Sequence, residues 1–352
     1  MRRGLLSWSH DEVAPELLTE ARARLGAALS AAGFDAMLIY TDFTRPAAVS
    51  RLTHFIPYWG QSVLLVLPDG AVTLVTNLSN RVAGWMRSVS SLEEIACGPA
   101  IGATVAEKLP SGGSGQVAVV DLARFPGGIV TDISAKRGDL QFLDGTSLFE
   151  RAIAEQGAPP AVVGRLVEIA SAGLEAALGQ ASTRDINQVI AAAEGTCRLA
   201  GAEELLIAAA PDMIADRRLR RIEGGAPLEQ VFALQLSLAY KGYWLRLGRT
   251  ASSEGDVPWI GEMNRWFGDL LASPALREKP AAEIARALAR LKGCEADFWR
   301  LEGVQGGTPL AEIVSSVRPP DRVHLPDLVS LSMRIRHPNG WWFAAAPLPL
   351  PA

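Results

Sequence analysis

The stretch Val231–Thr250, VFALQLSLAYKGYWLRLGRT, holds two runs of alternating residues around Tyr240, Lys241 and Gly242. A glycine-bearing break between two period-2 runs predicts an antiparallel hairpin. With Tyr240 opposite Tyr243, Leu234, Leu236 and Leu238 share one face with Leu245 and Leu247, and that face belongs to a core. The other face then carries Gln235, Ser237, Trp244 and Arg246, because cross-strand partners project to the same side of a sheet. Gln235 and Arg246 become diagonal neighbours.

The chain before the hairpin is rich in local signals. Glu12 to Ala32 repeats apolar residues at helical spacing, Gly33 closes that helix, and Ala36 to Tyr40 begins a buried strand. A loop from Asp42 to Pro46 leads into a short helix ending near Leu52. Ser62–Leu67 and Ala71–Asn77 form two strands about a Pro-Asp-Gly turn, and Val117–Val120 gives another strand. The Gly112–Gly115 loop lacks the Gly-Lys-Ser and helix start of a phosphate cradle. Thr146–Glu155 and Pro159–Leu178 read as helices, and Thr183 is expected to cap a third that runs to Leu199. Gly201-Ala-Glu-Glu then feeds a strand over Leu205–Ala209. Further on, Glu262–Leu271 and Glu278–Leu291 read as helices, with Trp259, Met263, Trp266 and Phe267 as a core stripe.

Three stretches together resemble one family. The Tyr-Lys-Gly-Tyr turn with its closing Gly-Arg-Thr, the segment TDFTRPAAVSRLTHF, and the two helices before Gly-Ala-Glu-Glu are similar to the creatinase, aminopeptidase P and prolidase superfamily. The resemblance implies an α+β chain: a creatinase-type N-terminal α/β domain over residues 1–150, then a pita-bread domain over 151–352. It also implies a dimer in which the N-terminal domain reaches over the partner's active site. Asp42, Arg45, His54, Tyr58 and Trp59 are then candidate rim residues; the alternative is that Asp42 caps a helix and Arg45 pairs locally.

The same resemblance assigns five metal ligands, and this chain departs from each. Gln235 and Arg246 stand where two aspartates are expected, and an amide and a fixed cation do not make a hard, anionic oxygen site. The run AAAPDMIADRRLRRIEG matches in Pro211 and Asp212 but carries Arg217 or Arg218 where the family has a histidine. A guanidinium cannot shuttle protons near neutrality. Glu302, in FWRLEGVQGGTPL, falls near the metal histidine. Met333, or Ser332, occupies the place of the first glutamate, and Gly340–Ala345 that of the second. No metal or other cofactor is expected.

Composition narrows the partners. The chain has 352 residues with a net charge of −4 and 34 basic side chains. Nothing in this balance calls for nucleic acid or an anionic membrane. Cys97, Cys197 and Cys294 are far apart and suggest free thiols, and no apolar run reaches membrane-span length. A soluble, cytoplasmic protein is expected.

The pocket expected from this reading contains Gln235, Arg246, Arg217 or Arg218, Glu302, Trp244, Trp341 and Trp342. Replacing carboxylates by a guanidinium turns a cation hole into one that suits an anion. The first functional expectation is therefore a metal-independent site for a small carboxylated, amino-acid-like ligand, either binding it or acting on a C–N bond with Glu302 or Asp212 as acid or base. Against it stands the possibility that Arg246 only pairs with Glu302. The second expectation is a catalytically dead subunit, as a homodimer or as a heterodimer with an active paralogue, and a lesser one is an Xaa-Pro peptidase with shifted metal ligands.

Overall fold

A computed structural model describes residues 7–57, 59–154, 156–305, 308–317 and 325–350. It divides into two compact units, Met1–Val162 with Gln305–Pro309, and Val163–Val304 with Leu310–Ala352.

The first unit is built on strands β1 (Ala36–Asp42), β2 (Gln61–Val66), β3 (Val72–Thr76), β4 (Glu94–Cys97), β5 (Gln116–Val119) and β6 (Gln141–Asp144). They form one mixed sheet in the order β4-β3-β2-β1-β5-β6. Alternation along the strands sends side chains into two cores. Met37, Ile39, Leu64 and Leu74 pack with the helices Pro15–Ala32, Ala47–Thr53 and Thr146–Ala154. Leu38, Tyr40, Val63 and Val75 pack with the helices Ile101–Lys108 and Gly127–Lys136. Burial on both faces explains why β1 reads as an unbroken apolar run instead of an alternating one.

The second unit holds β7 (Glu204–Ala210), β8 (Val231–Tyr240), β9 (Tyr243–Ser252), β10 (Glu295–Gln305), β11 (Thr308–Ser315), β12 (Val329–His337) and β13 (Gly340–Pro347), in the order β11-β10-β12-β13-β9-β8-β7. The hairpin takes the register read from sequence, with Tyr240 opposite Tyr243 and Ser237 opposite Arg246. Its two-residue turn puts Lys241 at φ 51° and Gly242 at φ 78°, the left-handed pair that matches strand twist. Between β9 and β13 only Arg249–Ala344 and Gly248–Ala345 are paired. Gly248 permits that junction: a Cβ there would lie 2.6 Å from Phe343 Cε1 and 2.9 Å from the Leu234 carbonyl.

Helices cover one face of this sheet. Trp299, Leu301, Leu331, Met333, Ile335 and Trp342 pack with Met263, Phe267, Leu270 and Ile284. Behind the hairpin, the Cβ missing from Gly173 would sit 2.2 Å from Cys197 Sγ and 3.5 Å from Leu236, so the two preceding helices close onto the leucine face. Several boundaries differ from the sequence reading. Asp185, not Thr183, caps the helix Ile186–Leu199 by accepting the Asn187 N–H at 2.9 Å. The helix expected over 278–291 instead begins at Pro280, because the residue before a proline is pushed out of the helical region and Lys279 sits at φ −137°. Among the described residues no helix is long and apolar enough to cross a membrane.

Candidate functional site

The opposite face of the second sheet carries polar side chains beside a small apolar cluster of Val231, Ala233, Phe343 and Ala345 with Met213 and Ile260. Strand alternation brings Gln235 and Ser237 from β8, Arg246 from β9, Phe298, Arg300 and Glu302 from β10, Ser330, Ser332 and Arg334 from β12, and Phe343 from β13 to one side. Met333 and Trp342 belong to the opposite side: both are fully buried in the helix-covered core, and the Trp342 indole donates to Asn264 at 3.0 Å. Of the two residues read at the first glutamate position, Ser332 is the one on the site face. Trp342 likewise leaves the expected pocket, since a shift of one residue reverses the face.

At the centre, Arg246 Nη1 sits astride the Glu302 carboxylate, 2.9 Å from Oε1 and 2.7 Å from Oε2. Arg246 Nε donates to Ser237 Oγ at 3.1 Å, and its backbone N–H to Ser330 Oγ at 2.9 Å. Ser332 Oγ adds a hydrogen bond to Glu302 Oε2 at 3.2 Å. Glu302 is 4% exposed. Burial lowers the Arg246 pKa from its ordinary value and nearby Arg300 lowers it further, while Glu302 pulls it back up. The open question left by the sequence, whether Arg246 is free or paired with Glu302, is settled in favour of the pair.

Around this pair, three carboxylates each serve two guanidinium groups. Asp216 takes Arg218 and Arg220, Asp297 takes Arg217 and Arg334, and Glu302 takes Arg246 and Arg300. The Arg218 and Arg220 hydrogen bonds hold Asp216 far below the usual carboxylate range. Arg300 differs from the others: its Nε lies 3.2 Å from Glu302 Oε2, yet is too poorly aligned to form a hydrogen bond. Beside the cluster opens a pocket of ≈ 420 Å³ lined by Ala208, Arg218, Leu219, Gln235, Phe298, Arg300, Arg334 and Phe343. The lining carries three arginines and no acid.

The other residues singled out in the sequence are placed as follows. Arg217 pairs with Asp297 at 3.0 Å and lies 4.8 Å from the centre of the Trp341 ring. Asp212 Oδ1 accepts the N–H groups of Ile214 and Ala215, so this carboxylate ties a turn, and it does not line the pocket. Trp244 is 7% exposed, and its indole N–H finds no acceptor among the described residues. In the first unit Asp42 accepts from Thr44 and Arg45, and Arg45 lies 3.6 Å from Asp42 Oδ2 and donates to the Arg124 carbonyl. Burial pushes the Asp42 pKa up, but the Thr44 hydrogen bonds and the Arg45 charge outweigh it and hold the carboxyl below its ordinary value. His54 is buried, not exposed at a rim; its Nδ1 donates to the Val89 carbonyl at 2.9 Å and its ring stacks on Trp8. Trp59 is exposed and stacks on Trp85. Tyr58 lies outside the described residues.

Sequence reading missed Arg300, Arg334 and Phe298. The signal was period 2: Arg300 is two residues before Glu302, and Arg334 two after Ser332. It was usable only once FWRLEG was known to be a strand.

The sequence matches no protein-family model and no curated protein at a significant level. The structure is similar to solved ones along nearly its whole length. Prolidase from Pyrococcus horikoshii OT3 superposes with TM-score 0.66 at 15% identity, covering 94% of this chain and 95% of that one. X-Pro aminopeptidase from Thermotoga maritima MSB8 gives 0.65 at 14% identity, covering 91% and 94%. X-prolyl aminopeptidase from Caenorhabditis elegans, a cytosolic enzyme with a di-nuclear active site, gives 0.60 at 13% identity, covering 99% of this chain and 61% of that one. The chain therefore has the fold of the prolidases and Xaa-Pro aminopeptidases, the fold implied by the hairpin and its flanking segments.

Proposed function

We propose that this protein uses the prolidase fold without its metal chemistry, and that the site face binds a small carboxylated, amino-acid-like molecule. The observation that carries the proposal is the Arg246–Glu302 pair. The one carboxylate at the centre of the face already has a guanidinium across both oxygens, and the residues beside it are an amide and serines. That set does not fit a pair of divalent ions, which need several anionic oxygens or imidazoles. Among the described residues, no three of His, Cys, Asp and Glu are grouped to hold a metal ion.

A pocket lined by three arginines and no acid supports an anionic ligand over a cationic one. Glu302 is engaged by its arginine, which favours binding over acid–base chemistry on a C–N bond. Fold by itself does not decide between these roles. The protein would act as a homodimer, or as a silent subunit beside an active paralogue; native mass spectrometry of the purified chain distinguishes the two by subunit count and bound small molecules.

The decisive test combines elemental mass spectrometry with an Xaa-Pro cleavage assay in added manganese or cobalt. The expected result is no stoichiometric manganese, zinc, cobalt or iron and no metal-stimulated cleavage. Metal-dependent turnover by the pure protein would overturn the proposal and restore a peptidase with shifted ligands.

A further inference from the structure

The arginines at the pocket differ in how far their hydrogen-bonding capacity is used. Arg218 donates through Nε and Nη2 to the two oxygens of Asp216. Arg334 donates through Nε and Nη2 to Asp297 and through Nη1 to the Arg217 carbonyl. Arg246 spends Nε on Ser237 and Nη1 on Glu302. Among the described residues, Arg300 donates no hydrogen bond at all; its contacts are the misaligned approach to Glu302 and a position 5.5 Å from the centre of the Phe298 ring. Glu302 is a single negative charge facing both Arg246 and Arg300, so one positive charge at the pocket wall is left over.

A second group in the same wall is also unused. The Gln235 side-chain amide lines the pocket and has no hydrogen-bond partner among the described residues. Opposite chemistry is supplied by Phe298 and Phe343, with Leu219 and Ala208 completing an apolar surface. Phe343 is held firmly, fully buried and seated over the bare backbone of Gly248. The volume falls in the ~300–1,000 Å³ range of small-molecule sites.

We infer that Arg300, assisted by the Gln235 amide, holds the carboxylate of the ligand, and that the partly exposed Phe298 ring selects a ligand with a flat apolar body, an aryl-substituted carboxylic acid. This deepens the proposed function and rests on it, while moving the clamp from Arg246, where the sequence reading placed it, to a residue on a different strand. A guanidinium offers a carboxylate two parallel N–H donors, and an aromatic wall rewards a planar substituent over a bare acid.

Isothermal titration of the full-length protein with 3-phenylpropionate, its primary amide, acetate and inorganic phosphate tests this. The expected order puts 3-phenylpropionate first, with the amide and acetate weaker by roughly tenfold or more, about 1.4 kcal/mol. Arg300→Gln should weaken 3-phenylpropionate by a similar factor, and Arg300→Lys, which keeps the charge and the fold, by less. Phe298→Leu should weaken 3-phenylpropionate and leave acetate unchanged. If 3-phenylpropionate binds equally well to the wild type and to Arg300→Gln, the clamp assignment falls while the carboxylate pocket stands. Phosphate binding tighter than any carboxylate would overturn the ligand class. A folded wild-type protein that binds none of these anions would overturn the proposed function with it.

Discussion

Glu203 and Glu302 are both 4% exposed, and both stand beside the β8–β9 hairpin, one at its turn and one at its middle. They are compensated by different means. Glu203 accepts the backbone N–H groups of Lys241 at 2.6 Å and Gly242 at 3.1 Å, donors that the two-residue turn leaves pointing out of the ladder. Glu302 is matched by a side chain, the Arg246 guanidinium, with Ser332 beside it. The difference is one of what remains when the partner is taken away. Loss of Glu203 takes the acceptor from two backbone amides at the end of a hairpin; loss of Arg246 takes from a buried carboxylate the guanidinium that spans both its oxygens and leaves only the misaligned Arg300. Turn amides are present in any chain that makes this hairpin, whereas the guanidinium is specific to this sequence.

The largest predicted effect separates the two directly. Arg246→Met should cost about 3 kcal/mol in urea unfolding, the low end of the range for breaking a buried ion pair, because Arg300 Nε still stands 3.2 Å from Glu302 Oε2, and Arg246→Met with Glu302→Met should recover part of it. A loss below about 1 kcal/mol for the single variant would show that Glu302 finds water or another cation, and would erase the contrast. From sequence, Arg246→Ala is expected to abolish ligand binding and leave the fold intact; the contact with Glu302 adds an expected loss of stability to that variant.

A smaller effect is expected at the turn. Glu203→Leu should cost about 1–3 kcal/mol, the penalty of leaving buried donors unsatisfied, with no change in 3-phenylpropionate affinity. Altered ligand affinity would mean that turn and pocket are coupled and that the two carboxylates are not independent.

The smallest effect sharpens the comparison with a third buried carboxylate. Glu283 is held down to about 2 by hydrogen bonds from Arg286 and Ser273, against an ordinary value of 4.5. Because its folded pKa is depressed, its contribution is fully present above the ordinary value and is lost as pH falls toward about 2. The melting temperature of Glu283→Gln should therefore differ from that of the parent at pH 5, with the gap closing toward pH 2. A gap that does not vary with pH would show that the Glu283 charge makes no difference to stability.

These expectations also mark how far the sequence reached. The hairpin was legible because its register depends on a two-residue turn and an alternation that lie within twenty consecutive residues, and Tyr240 does face Tyr243. The helix-covered stripe of Met263, Trp266 and Phe267 was legible for the same local reason. β10 was not. Its inward side carries Phe298, Arg300 and Glu302 and its core side Trp299 and Leu301, so large apolar and charged residues mix on the inward side and hide the period. Met333 and Ser332 could not be told apart because a slip of one residue exchanges the two faces of a strand, and nothing local fixes the pairing of β10 with β12. His54 was a candidate rim residue, but the ring is covered by Trp8 and bonded to the Val89 carbonyl, both remote in sequence.

By itself the sequence determined the fold class, and the hairpin and its register. Those features depend on residue type and on spacing within a turn or two of chain. Tertiary structure alone decided that Arg246 is paired with Glu302, 56 residues away, that Arg300 keeps its donors unused, and that Gln235 and two phenylalanines share its pocket. Such facts depend on strand order and pairing between distant segments, and on how few acids are shared among many arginines, which no local pattern encodes.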